Sequence, residues 1–395
     1  MNRLKLLTII ISIAIILSGI GGYALVRTLD HSNDPQTAAE QTVSTEPTAA
    51  PQEETAGTEA PQKPEEPSDY IFASDYQAEE GYPSPPETLR GILSAISADH
   101  PQPKGLIFCG DYTNVYKQWN YDLAPDDPIA EIRGILSEIF PQLPSERTLF
   151  IQGNHDAYTD ALTASGLHEF DDCLIYVLNT EADYPWKQGK TNGSLKKVRK
   201  TAETLHSFFD GLIASGEKRP VFIASHVPLH FTARTSSLYT TGDNLYASLI
   251  YDEISRAAND LDIVFFYGHN HSKGWDSYLG GGSVFRTVGD TILIPEFDET
   301  KVNTDKYTAE TLNFTYLNAG YTGYIAETSS DTTLTATLCE VSADSLTLTR
   351  YSANGIHPLC ENGAANPFVD DTVLIPSEYY STRIESPQVI PRRHR

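Results

Sequence analysis

Apolar positions along this chain fall into three regimes. From Leu6 to Val26 runs an uncharged block of 21 residues rich in Ile and Leu, about the ~20 that a helix needs to cross a ~30 Å hydrocarbon core. Between residues 30 and 68 large apolar side chains almost vanish, and Thr, Ala, Glu, Gln and Pro recur instead. Such a segment cannot bury enough surface to offset its chain entropy, so it reads as a disordered acidic tether. From Tyr70 onward, short apolar runs alternate with stretches of helical period, the pattern of a layered α/β architecture. The runs predict strands at 70–74, 106–109, 148–152, 174–179, 221–225, 263–267 and 314–318. Helical stretches lie at 86–99, 128–140, 196–215 and 244–259. Thr alternates with Leu at 333–341 and 345–351 around Ser342-Ala343-Asp344, which predicts a β-hairpin that closes a sheet. No linker signal divides 70–351, and the Pro-rich tail beyond Tyr351 has no clear period. The expected organisation is a membrane anchor at 1–29, a disordered acidic linker at 30–68, one α/β domain at 69–355 and a C-terminal extension at 356–395.

Charge sharpens this picture. The chain carries a formal −25, of which residues 1–29 contribute +3 and residues 30–69 contribute −9, leaving −19 for the rest. An acidic domain argues against nucleic-acid binding, which needs Lys and Arg to neutralise phosphates. Arg3 and Lys5 precede the apolar block and favour a cytoplasmic N-terminus, while Arg27 on the far side opposes that bias. A signal peptide cleaved at Gly22-Tyr23-Ala24 is the competing reading, and the length of the block favours an uncleaved anchor. Either way the rest is exported, and the uncleaved anchor gives a single-pass cell-membrane protein with its folded domain outside the cytoplasm. Four cysteines are too few for a disulfide scaffold. Cys109 and Cys173 sit in strand-like runs and read as buried thiols, whereas export leaves a Cys339–Cys360 bridge open.

The chemistry is carried by where polar residues fall. Five strand-like runs end in residues of metal-ligand type. Asp75 follows the first, Asp111 the second through Gly110, and Asn154-His155-Asp156 the third through Gly153. His226 follows the run at 221–225, and Gly268-His269-Asn270-His271 the run at 263–267. Singly, each is an ordinary turn or cap residue. Jointly, they place carboxylate, amide and imidazole donors where ligands of open α/β sheets gather, at the carboxyl ends of strands.

On these residues the chain resembles the calcineurin-like metallophosphoesterases, whose signature is Asp-x-His, Gly-Asp, Gly-Asn-His-Asp/Glu, a later His and Gly-His-x-His. The corresponding stretches here are Asp75-Tyr76-Gln77, Gly110-Asp111, Gly153-Asn154-His155-Asp156, Ser225-His226 and Gly268-His269-Asn270-His271. Two departures stand out: Gln77 replaces the family's His, and Asn114 replaces the second acid of Gly-Asp-x-x-Asp. The resemblance implies a four-layer α/β/β/α sandwich and a pair of divalent or trivalent ions, with Mn, Fe or Zn suited to the mixed donors. It implies that Asp111 bridges the ions, with Asp75, His271 and Gln77 completing one site and Asn154, His226 and His269 the other. His155 is then a proton donor on the leaving-group side, with its ring oriented by Asp156. The implied activity is hydrolysis of a phosphomonoester or phosphodiester by hydroxide activated at the metals. Arg234 and Lys273, in polar stretches after two of the strand ends, are the candidate phosphate-binding residues; Arg286 is a third cation, and Trp275, Trp186 and Tyr112 could stack on a ring. Against this stands a catalytically idle phosphoesterase fold that binds a phosphorylated cell-surface ligand, a reading motivated by the altered first site.

Overall fold

The computed structural model describes residues 66–78, 84–113, 127–156, 159–179, 192–229, 247–271, 285–295, 307–323, 333–354, 382–384 and 386–394. The chain divides into two compact units, Met1–Glu66 and Pro67–Arg395. The first lies almost wholly outside the described residues, as do the apolar block and the acidic segment. Among the described residues no helix is long and apolar enough to cross a membrane.

Two sheets dominate the second unit. In the first, β1 (Ser68–Ala73), β2 (Gly105–Phe108) and β3 (Thr148–Phe150) run parallel. The hairpin of β13 (Thr333–Val341) and β14 (Ser345–Asn354) joins β1 antiparallel, so β13 lies inside the sheet rather than at its edge. Strands β12 (Gly320–Tyr321), β15 (Thr382–Ile384) and β16 (Gln388–Pro391) add to this hairpin. In the second sheet, β5 (Leu174–Leu178), β6 (Val221–Ser225), β7 (Ile263–Tyr267) and β11 (Thr315–Asn318) are parallel. β4 (Gly166–Glu169) and β8 (Phe285–Arg286) flank them antiparallel. A separate ribbon pairs β9 (Thr291–Pro295) with β10 (Tyr307–Thr311).

Period-2 alternation makes β1 two-faced. Tyr70 and Phe72 point into a core shared with Phe222, Val264 and Phe266 of the second sheet, and the rings of Phe72 and Phe266 stack at 3.6 Å. Ile71 and Ala73 point the other way, against α1 (Ser84–Asp99) and α2 (Pro128–Ile139). Helix α1 buries Leu89, Ile92, Leu93 and Ile96, the i, i+3, i+4, i+7 stripe of one helical face. Helix α2 starts where Asp127 accepts a hydrogen bond from the Ala130 N–H and Pro128 fills the first turn. On the outer face of the second sheet, α3 (Asn192–Ser215) and α4 (Ala247–Ala257) cover Tyr176, Ile223 and Phe265 with Leu205, Phe209, Ile250 and Ile254. The layers are therefore helix, sheet, sheet, helix, each pair sealed by its own apolar cluster.

The seven expected central strands and four helices are all present, with ends shifted by a few residues. Strands β4, β8 to β10, β12, β15 and β16 lie outside the expected set and are only two to five residues long. Cys109, Cys173 and Cys339 are free buried thiols, so Cys339 makes no bridge; Cys360 lies outside the described residues.

Candidate metal centre

The carboxyl ends of parallel strands from both sheets meet at one place. Beyond β1 and β2 the loops continue side by side, with the N–H groups of Asp75, Gln77 and Ala78 donating to the carbonyls of Gly110, Asp111 and Tyr112 at 2.9 Å each. The backbone there is strained. Among the described residues the non-glycine positions with positive φ are Asp75 (55°), Gln77 (46°), Asp111 (57°), His269 (67°) and His271 (50°). All five belong to the sequence-derived ligand set. A left-handed conformation costs a side-chain-bearing residue roughly 1–2 kcal/mol, and such strain concentrates where a site dictates side-chain direction. Glycines make the crossing possible: a Cβ at Gly110, itself at φ 89°, would lie 2.7 Å from His226 Nδ1, and one at Gly153 would meet the Asp111 carboxylate.

Asp111 occupies the middle. Its Oδ1 accepts the His155 N–H at 2.9 Å, and its Oδ2 lies 3.3 Å from His226 Nε2 and 3.9 Å from His155 Nε2. His226 donates its Nδ1–H to the Cys109 carbonyl at 2.7 Å, a partner that can only accept. That bond leaves Nε2 facing the cluster. Asn154 Oδ1 stands 3.0 Å from this Nε2 and 2.7 Å from His269 Nδ1. On the other side, Asp75 accepts the His269 N–H, and its Oδ1 lies 3.5 Å from His271 Nε2. The His271 ring stacks on Tyr321 at 4.4 Å. Gln77 reaches the same imidazole: its Nε2 donates to His271 Nε2 at 2.9 Å.

Donor atoms of Asp111, His226 and His269 lie within 4.8 Å of one another, as do those of Asp75, Asp111 and His271. Asp111 thus belongs to both groups. Burial pushes the Asp75 carboxyl up to about 7 against the pull of His226, and burial together with Asp111 pushes Asp156 up to about 6. Burial acts the same way on Asp111, but His226 and His155 outweigh it and hold this carboxyl below the usual range. For His226, burial works against charge, yet Asp111 prevails and raises the ring to about 10. The surroundings favour positive charge at His226 Nε2, whether proton or metal ion. Buried carboxylates, an amide oxygen and imidazole nitrogens converging on two overlapping positions fit divalent cations.

Asp156 is placed differently from the expectation. Its Oδ2 accepts the N–H groups of Asp111 (2.9 Å) and Gly153 (2.8 Å), and its Oδ1 that of Tyr112 (2.8 Å). Both oxygens hold backbone, so it shapes the Asp111 turn instead of orienting His155. Tyr112 is buried, its hydroxyl donating to the Ile151 carbonyl at 2.7 Å, and offers no ring to a substrate. Arg286 sits half-buried in β8. Arg234, Lys273, Trp186, Trp275 and Asn114 lie outside the described residues. Sequence reasoning missed Asn318 at the end of β11, whose amide donates to the Gly268 carbonyl at 2.8 Å and whose own carbonyl accepts from the buried Arg350 at 3.0 Å. A sixth strand ending in a polar residue was the available signal.

The family model of calcineurin-like phosphoesterases matches residues 70–273. Comparison with curated proteins finds no match. Similar solved structures include a single mutant of Vps29 from Entamoeba histolytica (12% identity, 72% of this chain and 92% of that one, TM-score 0.30). Others are purple acid phosphatase PPD1 from yellow lupin, Lupinus luteus (11%, 72% and 51%, 0.39), and a 5′-nucleotidase from Candida albicans SC5314 (12%, 80% and 50%, 0.28). The chain spans about half the length of these last two.

Proposed function

The chain belongs to the calcineurin-like phosphoesterases, and on that footing we propose that it is a metal-dependent hydrolase of phosphate esters with a dinuclear centre. One observation carries this reading: the Asp111 carboxylate is common to both donor groups, the arrangement required of a bridging ligand. Asp75, His271 and the amide of Gln77 belong with one position, and Asn154, His226 and His269 with the other. When bound, the pair of cations supplies Lewis-acid polarisation of the phosphate and an activated water.

The protein's own groups do the rest. The Cys109 carbonyl, by taking the His226 Nδ1–H, directs Nε2 inward. Asp75, by accepting the His269 N–H, fixes the turn that carries His269 and His271. His155 is held at its backbone by Asp111, and its side chain is 16% exposed, so Nε2 can deliver a proton to a leaving-group oxygen at the mouth of the site. Arg234 and Lys273, outside the described residues, remain our candidates for phosphate contact. We further place the domain outside the cytoplasm behind the Leu6–Val26 anchor, on the strength of Arg3 and Lys5 before that block.

The deciding experiment is hydrolysis of chromogenic phosphomonoesters and diesters by the purified chain with added Mn, Zn or Fe. Turnover that disappears on chelation is the expected result. Metal binding without turnover on either ester class would instead favour the idle, ligand-binding reading, which the Gln77 amide seated on His271 motivates.

A further inference from the structure

A second group of metal-ligand side chains lies at the opposite end of β1. Asp69, near the start of that strand, and Glu340 of β13 are direct antiparallel partners. They share a face with Ile71 and Leu338, the face that packs against α1. Like charges placed opposite one another on neighbouring strands are destabilising. His100, immediately after α1, brings its Nδ1 to 3.0 Å from Asp69 Oδ2. One donor atom from each of Asp69, His100 and Glu340 lies within 4.8 Å of the other two, and all three residues are half-buried.

Among the described residues, His100 is the cationic group that bears on the Glu340 carboxyl, while the exposed Lys104 meets Asp69 through its backbone N–H. Helix α1 ends here with no basic residue in its last turn, so its carbonyl terminus adds negative potential. Burial, then the carboxylates of Asp99, Glu340 and Asp69, push the Tyr351 hydroxyl up. Burial and Asp69 likewise push Glu340 up, with His100 as its opposing partner. One imidazole cannot neutralise two carboxylates and a helix end.

We propose that Asp69, His100 and Glu340 form a further cation site, separate from the catalytic cluster, that takes a zinc-class divalent ion. Two carboxylate oxygens and one imidazole nitrogen are a donor set for such an ion, with water completing the coordination at the half-exposed side. Asp69 lies six residues before Asp75 in the sequence, at most about 20 Å of extended chain at ~3.3 Å per residue. The site clamps the end of α1 to the two strands at the centre of the first sheet, so its role is to hold a helix on a sheet, not to act on substrate.

The test uses the full chain, stripped by chelation and then titrated with zinc, alongside Glu340→Gln and His100→Ala. Without zinc, Glu340→Gln should melt at the same temperature as the wild type or higher, because the facing like charges are gone. With zinc at about 100 times its dissociation constant, the wild type should gain roughly 4–8 °C more than the variant. Both variants should hold one zinc per chain fewer than the wild type by elemental analysis. The catalytic cluster is unaltered in all three proteins and cancels from the comparison. Equal zinc content, or a Glu340→Gln variant whose melting temperature differs from the wild type by the same amount with and without zinc, would overturn the proposal.

Discussion

Asp111 Oδ2 lies 3.3 Å from His226 Nε2, and the other nitrogen of that ring is tied to the Cys109 carbonyl. The pair fixes which atoms face the cation position. Asp111→Asn keeps an oxygen to accept the His155 N–H but removes the negative charge shared by both donor groups. It should lose most activity, by roughly 10²-fold or more, and lower the metal content below that of the wild type. Elemental analysis beside steady-state rates checks this, and a fully loaded, active variant would refute a bridging role.

His155→Ala should behave differently. Its ring stands 3.9 Å from Asp111 Oδ2, at the edge of the donor cluster. Removing it should slow turnover by ~10²–10⁴, the worth of a positioned acid, while both ions stay bound. Loss of metal in this variant would show that the imidazole is a ligand.

What the sequence made legible follows from distance along the chain. The donors at 75, 111, 154, 226, 269 and 271 each sit directly after an apolar run, so local pattern located them, and the Gly110 and Gly153 that admit them are adjacent. The Asp156 contacts depend on which side of the backbone its carboxylate faces, which only the crossing of two loops decides. Arg350 is fully buried, although arginine in a Thr-rich strand reads as surface. The facing of Asp69 and Glu340 follows from a register between strands far apart in the chain, and no local signal encodes that.

Gln77 donates its amide N–H to His271 from a backbone at φ 46°. Whether as a ligand or as the group that steers His271, it acts on the Asp75, Asp111 and His271 position alone. Gln77→Ala should weaken one of two steps in a metal titration by ~10-fold, within the range for groups that orient ligands. The step belonging to Asp111, His226 and His269 should not move. Two unchanged steps with unchanged turnover would remove Gln77 from the site.

The placement of the domain is also open to direct measurement. Protease added to intact cells should cut within residues 30–68 and release a soluble, active fragment, since that acidic stretch offers little that can fold. Cleavage only after lysis would invert the proposed topology.

Asp156 separates two accounts of the Gly153-Asn154-His155-Asp156 stretch. Had its carboxylate oriented the His155 ring, Asp156→Asn would reproduce the His155→Ala defect and leave metal and stability alone. The structure instead gives its two oxygens to three backbone N–H groups, those of Asp111, Gly153 and Tyr112. An asparagine can keep its oxygen on Asp111 and Gly153, but its NH2 then faces the Tyr112 N–H, donor against donor. An unsatisfied buried donor costs about 1–3 kcal/mol. Relief of the repulsion between Asp156 and Asp111, which helps to push Asp156 up to about 6, returns part of that, so a net loss of about 1–2 kcal/mol is expected. Because the freed turn carries Asp111 at φ 57°, metal affinity should fall as well, by ~10–100-fold. Thermal melting and metal titration of Asp156→Asn read both effects. Wild-type values in both, paired with slow turnover, would restore Asp156 to the His155 ring.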